Sequence, residues 1–491
     1  MAGVNNALRM RRDLMVRLAA LYRQGRLLDG IDRVPLEVAP RSGDSLRCCV
    51  YKDRAVLKYR LMALLGYGME DERDELTPLS QYAAEALGRR EAPGAEPSVL
   101  DIACDSCSGA SYLVTDACRG CVARPCTTSC PKGAIQVRDG RARIDPEACV
   151  NCGKCQKACP FHAIIYRPVP CEQACPVDAV EKDDTGRIRI DREKCVSCGK
   201  CLSACPFAAV MDRSHMIDVL SAIGRGERVV AAVAPAGIGQ FSAPFEQLVG
   251  ACRDLGFAAV HEVAAGAEEV ADEESRELLE RLEGGAPFMT SSCCPAYTET
   301  VERHLPALKP YVSHTESPMI RTGRRIRRED PAARVVFIGP CLAKKREALR
   351  SGEIDYVLSF EELGALFVAH EIDVQTAEPR QAERRAGPVG RGFPLSGGVS
   401  CAVRAVLQDA AGGVEAREPG TTCIDGLDAE GLRTLRRLAR DPDKPGALGE
   451  GVRFLEVMAC PGGCVGGPLA YGSARSATRQ IEKQGAGTGR G

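Results

Sequence analysis

The apolar residues of this chain recur with different periods in different parts of the sequence. Within residues 1–98 they follow helical spacing, first over 14–28 and again over 56–65, where Gly66 ends the pattern. The stretch 89–97 is rich in Ala, Pro, Gly and Glu, which is typical of a linker. These patterns predict a small helical region over residues 1–98.

From residue 215 onward, apolar runs alternate with amphipathic segments. Runs at 229–233, 258–263, 335–338, 356–358 and 452–458 predict strands, and residues 244–255 predict a helix. This alternation predicts an α/β domain over residues 215–475. Residues 476–491 are polar and Gly-rich, which predicts a flexible tail.

Composition narrows the classes of partner. The chain has 491 residues, a formal net charge of −1, 4% aromatic residues and no Trp, so it offers no general case for nucleic-acid binding. No apolar stretch approaches the ~20 residues of a membrane-spanning helix. The segment after Arg12 is amphipathic rather than a secretory core. We therefore expect a cytoplasmic protein that binds neither nucleic acid nor membrane.

Cysteine is the unusual residue, with 26 copies. In a reducing compartment, cysteines at small fixed spacings indicate metal rather than disulfides. Structural zinc and buried thiols are the alternatives. Two runs have the ferredoxin spacing C-x2-C-x2-C-x3-C-P, and a third has two extra residues in its middle gap. These runs are Cys149/Cys152/Cys155/Cys159, Cys195/Cys198/Cys201/Cys205 and Cys118/Cys121/Cys126/Cys130.

In two-cluster ferredoxins the fourth cysteine of each run binds the other cluster. This rule predicts two inner sets, which are Cys118, Cys121, Cys126 and Cys159, and then Cys149, Cys152, Cys155 and Cys130. The run at Cys195 needs a partner, and the cysteines left to supply it lie on both sides of the inner unit. The predicted outer sets are Cys195, Cys198, Cys201 and Cys175, and then Cys104, Cys107, Cys171 and Cys205.

Residues 99–214 are thus predicted to be a nested double ferredoxin domain with about four [4Fe-4S] clusters. The set that includes Cys104 and Cys107 rests on the count of remaining cysteines rather than on a contiguous motif. Units of this kind carry electrons and have no substrate chemistry of their own.

Three later segments, 289–295, 339–345 and 456–464, place cysteine beside glycine or proline. Glycine and proline let the backbone approach a bulky inorganic group closely. The segments supply four candidate iron ligands and one further thiol, and these are Cys294, Cys341, Cys460, Cys464 and Cys293.

In this order, the three segments resemble the signature loops of the [FeFe]-hydrogenases, and the resemblance covers about residues 98–470. The motif Gly339-Pro340-Cys341 is closest to the monomeric group B branch, where glycine replaces a methionine of the cofactor pocket. The resemblance implies an H-cluster, in which a [4Fe-4S] cube is joined to a two-iron unit with CO, cyanide and azadithiolate. Cys294, Cys341, Cys460 and Cys464 would bind the cube, with Cys464 bridging to the two-iron unit.

The resemblance also implies roles for residues around that cofactor. Lys344 would hydrogen-bond a cyanide, while Met458, Ala234 and Pro235 would pack around the two-iron unit. A proton route would run through Cys293, Glu274, Ser317 and Glu277 to solvent. The alternative for the two carboxylates is a solvated helix face, since Glu273, Glu280 and Glu283 lie nearby.

The implied function is reversible proton reduction and dihydrogen oxidation, with ferredoxin or a similar electron carrier and hydrogenase maturation proteins as partners. A hydrogen sensor and an iron–sulfur assembly scaffold are the alternatives. Retention of Cys293 and the absence of a recognisable signalling domain favour the enzyme over a sensor, and the intact Cys-Cys-Pro loop with Lys344 disfavours a scaffold. Cys48 and Cys49 have no role in this scheme.

Overall fold

The N-terminal region is helical, as the apolar spacing predicts. The computed structural model describes residues 5–43, 45–104, 107, 109–410, 419–444 and 446–484. The helices described here are α1 (Asn6–Arg23), α2 (Leu27–Gly30), α3 (Val34–Val38), α4 (Val50–Leu64) and α5 (Leu79–Gly88), with 3₁₀ turns at Ile31–Arg33 and Met69–Asp71. Asn5 caps α1, because its side chain accepts a hydrogen bond from the N–H of Leu8 at 2.9 Å.

Buried ion pairs hold this helical region against the α/β part. Arg11 and Arg12 of α1 both bind the carboxylate of Glu361, whose side chain is only 1% exposed. Further along, Arg89 Nε donates to Asp218 at 2.7 Å. The stretch 89–97 is irregular, as expected of a linker. Its first residue, Arg89, is nevertheless held in place, because its Nη2 also donates to Asp218.

Strand pairing in the cysteine-rich part is nested. Its strands are β1 (Ser98–Val99), β2 (Ser111–Val114), β3 (Ile135–Arg138), β4 (Arg141–Ile144), β5 (Ile164–Arg167), β6 (Val180–Lys182), β7 (Ile188–Ile190) and β8 (Val210–Met211). Its helices are α6 (Asp101–Cys104), α7 (Pro125–Thr128), α8 (Lys154–Ala158), α9 (Pro170–Ala174) and α10 (Lys200–Ala204). The antiparallel pair β1–β8 encloses the pair β2–β5 in sequence, and each encloses a hairpin, β6–β7 or β3–β4. One ferredoxin-like unit is therefore inserted inside another.

The remaining chain is an α/β domain, which confirms the predicted class. Its strands are β9 (Val229–Val233), β10 (Ala259–Glu262), β11 (Met289–Thr290), β12 (Arg334–Ile338), β13 (Tyr356–Leu358), β14 (Gly420–Asp425) and β15 (Val452–Met458). Two parallel sheets form, in the orders β10-β9-β12-β13 and β11-β15-β14. All residues of β9 and β13 are buried, as continuous apolar runs in a covered parallel sheet should be.

Helices cover both sheets. They are α11 (Met216–Gly224), α12 (Phe245–Leu255), α13 (Val263–Glu283), α14 (Pro295–His304), α15 (Pro318–Glu329), α16 (Ala343–Ser351), α17 (Phe360–Ala369), α18 (Pro388–Gly392), α19 (Gly398–Ala410), α20 (Ala429–Arg440) and α21 (Ala474–Lys483). Shorter 3₁₀ turns lie at Pro235–Gly237, Pro306–Tyr311 and Cys464–Gly466. Within the described ranges, none of these helices is long and apolar enough to cross a bilayer.

The predicted flexible tail is partly wrong. Residues 476–483 belong to α21, which buries Ala477 and Ile481 on one face and packs near Gly239. Residues 485–491 lie outside the part of the chain that the structure describes.

Candidate active site and cluster-binding residues

Four parallel strands end around one cavity. Ala234 and Pro235 follow β9, Cys293 and Cys294 follow β11, Cys341 follows β12, and Cys460 follows β15. The carboxyl ends of parallel strands are the usual location of ligands in α/β proteins, because the loops there converge. The three cysteine segments, distant in sequence, therefore meet at one place.

All nine residues predicted around the cofactor line this cavity, and these are Ala234, Pro235, Cys293, Cys294, Cys341, Lys344, Met458, Cys460 and Cys464. The remaining lining is mostly apolar and includes Phe337 and Phe393. Gly463 has a φ of +87°, and a Cβ there would lie 2.3 Å from the Pro394 carbonyl oxygen, so only glycine lets the Cys460–Cys464 turn pass at this point.

The four predicted cube ligands lie close enough to influence one another. Burial, together with the thiolates of Cys294 and Cys341, raises the pKa of Cys464 to about 12. Burial likewise raises the pKa of Cys341 to about 11, again with a contribution from Cys294. For Cys460, the largest cause is burial, followed by Cys341 and Cys294. Thiolates that repel one another in an apolar cavity are stabilised by a cationic iron centre, so the four residues fit a cluster.

Lys344 is the cation in the cavity wall. Its Nζ donates to the Cys293 carbonyl at 3.3 Å and to Glu347 Oε2 at 2.6 Å. Burial acts to lower the pKa of Lys344, but Glu347 and the nearby thiolates outweigh it and raise the pKa above its usual value. Lys344 is therefore a charged hydrogen-bond donor at the place where an anionic cofactor ligand would lie.

Glu274 lies beside Cys293 and is fully buried. Its Oε1 accepts hydrogen bonds from the Ser292 N–H at 3.1 Å and the Ser292 hydroxyl at 3.3 Å. Its Oε2 has no hydrogen-bond partner within the described residues. Burial raises the pKa of Glu274 to about 7, although Ser292 acts to lower it. Glu274 can therefore hold or release a proton near neutral pH, and it is not part of a solvated helix face.

One turn further along α13, Glu277 is held by several donors. The Ser313 hydroxyl donates to Glu277 Oε2 at 2.6 Å, and the His314 N–H donates to Oε1 at 2.9 Å. Arg281 Nη2 lies 2.5 Å from Glu277 Oε1. Burial alone would raise the pKa of Glu277, but these donors lower it below its ordinary value. Glu277 is thus an ionised carboxylate near the surface.

The structure contradicts the predicted place of Ser317 in the proton route. Ser317 lies at the start of α15, and its hydroxyl has no hydrogen-bond partner among the residues described. Ser313 lies between the two carboxylates instead, because it donates to Glu277 and also lies close enough to lower the pKa of Glu274. The route supported by the geometry is Cys293, Glu274, Ser313 and Glu277.

The two inner cysteine sets come together as predicted from two-cluster ferredoxins, in which the fourth cysteine of each run joins the other run. Cys130, Cys149, Cys152 and Cys155 line one small cavity. In the other inner set, burial raises the pKa of Cys126, and the thiolates of Cys159 and Cys121 add to this effect. The fourth cysteine of each run thus lies with the other run.

The outer sets are brought together in the same way. Burial raises the pKa of Cys171 to about 12, with added effects from Cys205 and Cys104. The same two thiolates follow burial as causes of the raised pKa of Cys107. Burial also raises the pKa of Cys198 to about 12, and its neighbours Cys175 and Cys195 contribute. The set that includes Cys104 and Cys107 therefore has a structural basis beyond counting.

Electrostatic effects link the outer sets to each other and to the cavity. Cys171 of the neighbouring set raises the pKa of Cys201, and Cys198, which lines the cavity together with Cys460, raises the pKa of Cys460. Within the described ranges, no three His, Cys, Asp or Glu side chains close on a single metal ion.

Comparison with known proteins identifies this arrangement. Residues 227–468 match the family described as "Iron only hydrogenase large subunit, C-terminal domain". Residues 227–468 belong to the iron-only hydrogenase large-subunit family. Residues 142–165 match the family described as "4Fe-4S binding domain", and residues 165–216 match the family described as "LdpA Fe-S cluster-binding domain". This iron-only hydrogenase family member therefore combines an iron–sulfur region with the family's α/β domain.

Curated proteins that are similar to this chain include two hydrogenases and an iron–sulfur cluster assembly factor. It is 29% identical over 304 residues to iron hydrogenase 1 of Clostridium pasteurianum, covering 52% of each chain. It is 27% identical over 316 residues to the NADP-reducing hydrogenase subunit HndD of Solidesulfovibrio fructosivorans, again covering 52% of each. A probable cytosolic Fe-S cluster assembly factor of Drosophila virilis is 25% identical over 258 residues, covering 42% of this chain and 54% of that protein. The chain thus spans about half the length of the curated relatives it matches.

Sequence reasoning missed several residues of this family member's site. Ser292, which directly precedes Cys293 in the first cysteine segment, donates to Glu274, and Ser313, which lies outside the cysteine segments, lies between Glu274 and Glu277. Glu456 is fully buried near Cys293 and accepts the N–H groups of Gly397 and Ser400 at 2.9 Å and 2.8 Å. Its position as the first residue of the cysteine segment 456–464 was the available signal.

Proposed function

We propose that this protein is an [FeFe]-hydrogenase that interconverts dihydrogen with two protons and two electrons. The observation that carries the proposal is the combination of four clustered thiols with a buried, titratable Glu274 beside the free thiol of Cys293. A purely structural iron–sulfur site has no use for an acid–base group inside its cavity.

The cavity residues would hold an H-cluster. Cys294, Cys341, Cys460 and Cys464 are suited to bind its cube, while Lys344 can donate to an anionic ligand of the two-iron unit. The cofactor, when bound, supplies the metal chemistry that splits or forms dihydrogen. Met458, Ala234 and Pro235 would pack against it and keep water away.

The side chains of the protein would move the proton. The thiol of Cys293 faces the cavity, and its pKa is raised by burial first and by Glu274 second, so the neutral thiol is favoured. Glu274, with a pKa of about 7, can exchange a proton with Cys293 and pass it through the Ser313 hydroxyl to Glu277. From Glu277 the proton would reach solvent beside His314, which is 83% exposed.

Electrons would travel through about four [4Fe-4S] clusters to an external carrier. Lys and Arg outnumber Asp and Glu in residues 109–168, although the whole chain has a net charge of −1. Val122, Val150 and Phe161 are exposed there beside the inner cysteine sets, and Cys152 is exposed as well. A basic face with apolar contacts suits an acidic carrier such as a ferredoxin.

A hydrogen sensor remains the second candidate, since a sensor would keep the same cavity. The hydrogen-bonded route from Cys293 to the surface favours turnover, because sensing does not require rapid proton exchange with solvent. An assembly scaffold, the third candidate, would not need the two-iron pocket.

Infrared spectroscopy tests the proposal. After anaerobic expression with the maturation proteins, the protein should show the stretching bands of CO and cyanide, and their absence would exclude both the enzyme and the sensor. Hydrogen evolution with reduced ferredoxin then separates those two.

The proton route has a matched pair of variants. Ser313→Ala should lower turnover by ~10²-fold or more, because it removes the hydroxyl between the two carboxylates. Ser317→Ala should change turnover by less than ~2-fold, since its hydroxyl makes no hydrogen bond within the described residues. The infrared bands should persist in both variants, and equal turnover in both would refute the route.

A further inference from the structure

Two adjacent cysteines outside all the cluster sets lie on the surface before α4. Cys48 and Cys49 are both exposed, and their sulfur atoms are 3.9 Å apart. Cys49 is the residue that precedes the first turn of α4. Neither thiol is used by the cavity or by the electron route described above.

The pair borders one particular cysteine set. Cys48 lines a groove of about 680 Å³ together with Pro206 and Phe207, which directly follow Cys205. Arg47, the residue before the pair, donates from Nη1 to the carbonyl of Ala103 at 3.4 Å, and Ala103 directly precedes Cys104. Two members of the outer set Cys104/Cys107/Cys171/Cys205 thus have sequence neighbours at this place: Cys205 precedes two residues that line the groove with Cys48, and Cys104 follows the residue that Arg47 binds.

A buried cation lies in the same place. Arg60 also lines the groove and donates to the carbonyl of Phe207 at 2.8 Å. Burial, with a contribution from Arg47, lowers the pKa of Arg60 to about 10, while the Cys205 thiolate and Asp53 oppose this change. The groove beside the exposed pair is therefore lined by a buried arginine whose pKa is affected by the Cys205 thiolate of the outer set.

The chemistry of the pair suits reversible oxidation. The N–H of Lys52, at the start of α4, is the main cause that lowers the pKa of Cys49, and the neighbouring Cys48 thiol acts in the same direction. The thiolate is the form that reacts with disulfides. Adjacent Cα atoms are about 3.8 Å apart, which is shorter than the ~4.4–6.8 Å usual for disulfides. A bond between neighbours is therefore strained, and strained, exposed disulfides are the easily reduced ones.

We propose that Cys48 and Cys49 form a redox-active dithiol–disulfide couple that exchanges electrons with the cluster held by Cys104, Cys107, Cys171 and Cys205. Reduction breaks the Cys48–Cys49 bond and consumes two electrons and two protons, giving two thiols. The electrons arrive one at a time from the cluster, and solvent supplies the protons to both exposed sulfurs. A dissolved small disulfide reverses the step by thiol–disulfide exchange, forming two small thiols and restoring the bond.

This inference rests on the proposed function only for the electron source, since oxidation of one dihydrogen supplies the two electrons and two protons. The net reaction is then dihydrogen plus a small disulfide giving two thiols. The experiment therefore includes a reductant that bypasses the active site.

Peptide mass spectrometry can follow the pair directly. Trypsin cuts after Arg47 and Lys52, so one short peptide, residues 48–52, holds both thiols and no other cysteine. The anaerobic, cluster-loaded protein is oxidised with glutathione disulfide, desalted, and exposed to dihydrogen or to an electrochemically reduced viologen. After alkylation, the reduced peptide carries two alkyl groups, whereas the oxidised peptide carries none.

We expect both reductants to convert the peptide to the doubly alkylated form. Cys104→Ser should slow this conversion by ~10-fold or more with either reductant, because it removes a ligand of the adjacent cluster. Cys423→Ser, which changes an exposed cysteine outside every set, should convert at the wild-type rate. Conversion by the viologen but not by dihydrogen would refute the proposed function while supporting the couple. Equal rates in wild type and Cys104→Ser, or failure of the oxidised peptide to form, would overturn the couple.

A second measurement covers the case in which Cys104→Ser does not fold. In an anaerobic coulometric titration, the wild type should take up two more electrons per chain than the variant with both Cys48→Ser and Cys49→Ser. Both substitutions lie at exposed positions, so the variant should keep its fold and clusters. Equal electron counts would also overturn the proposal.

Discussion

Replacing Glu274 by Gln should stabilise the protein at alkaline pH, relative to the wild type. The pKa of this carboxyl rises from its ordinary 4.5 to about 7 because the side chain is fully buried. A group whose pKa is raised by folding contributes stability below its unfolded pKa and loses that contribution as the pH rises through its folded pKa. The difference between the ordinary pKa and the raised pKa corresponds to ~3 kcal/mol of unfolding free energy. Because Gln cannot ionise, the variant avoids this loss.

The neighbouring Glu277→Gln variant is a matched control with the opposite sign. The pKa of Glu277 lies below its ordinary value, because Ser313, His314 and Arg281 outweigh the effect of burial. Its contribution is present above the unfolded pKa and is lost as the pH falls through the folded pKa. Glu277→Gln should therefore be less stable than wild type at neutral and alkaline pH, and the difference should shrink in acid.

Urea unfolding followed by circular dichroism, at pH values from about 4 to about 8, measures both effects. Between those limits the stability of Glu274→Gln should rise relative to wild type by ~3 kcal/mol, as an upper value. The stability of Glu277→Gln should fall over the same range. If Glu274→Gln and wild type had the same pH dependence, Glu274 would not be a buried group that titrates near neutral pH. The proton route would then lose its first carboxylate.

Two further predictions concern packing. Gly339→Ala should cost ~1–3 kcal/mol of unfolding free energy, since its methyl group would lie 2.6 Å from the Phe337 ring. Gly88→Ala is the control and should cost little, because the space around Gly88 is open. Equal melting temperatures for the two variants would contradict the prediction. Glu361→Ala should cost ~3–5 kcal/mol, because it removes the carboxylate that binds both Arg11, which is buried, and Arg12 at the interface of α1. Limited proteolysis should then cut the N-terminal region faster than in wild type, and unchanged protection would contradict this role.

Local patterns in the sequence predicted the parts of this structure that depend on local geometry. The spacing C-x2-C-x2-C-x3-C-P indicates which cysteines lie on one loop. The rule that the fourth cysteine of each run joins the other run then predicts the last member of each set, as in the cavity that Cys130 shares with Cys149. Strands β9 and β12 were predictable because both faces are buried and the apolar run is continuous.

Which serine takes part in the proposed proton route could not be predicted from the sequence, because the choice depends on tertiary structure. Ser313 and Ser317 both lie in the irregular segment between the turn at Pro306–Tyr311 and α15, where no periodicity assigns a direction to a side chain. Only the packing of that segment against α13 distinguishes them, because it brings the Ser313 hydroxyl to Glu277. The order of residues along the chain does not contain this information.

The prediction of a flexible tail was wrong for residues 476–483 because it relied on composition alone. Helix α21 has a low average hydrophobicity, but Ala477 and Ile481 are four residues apart and therefore lie on one buried face. Strand β14 was missed for a related reason, since Thr421 and Thr422 are partly exposed and break the apolar run. In both cases a few well-placed side chains, rather than the composition of the segment, decide the structure.

Protons and electrons would leave the cavity through different walls. Cys198, of the cluster sets, lines the cavity and raises the pKa of Cys460, whereas Glu274 of α13 raises the pKa of Cys293. The two routes share the cavity but no side chain, so changes to one should not alter the other beyond their common dependence on the cofactor. Ser313→Ala should therefore slow turnover without changing how fast the clusters are reduced by a dye. A change in both rates would mean that the two routes are coupled through the cavity itself.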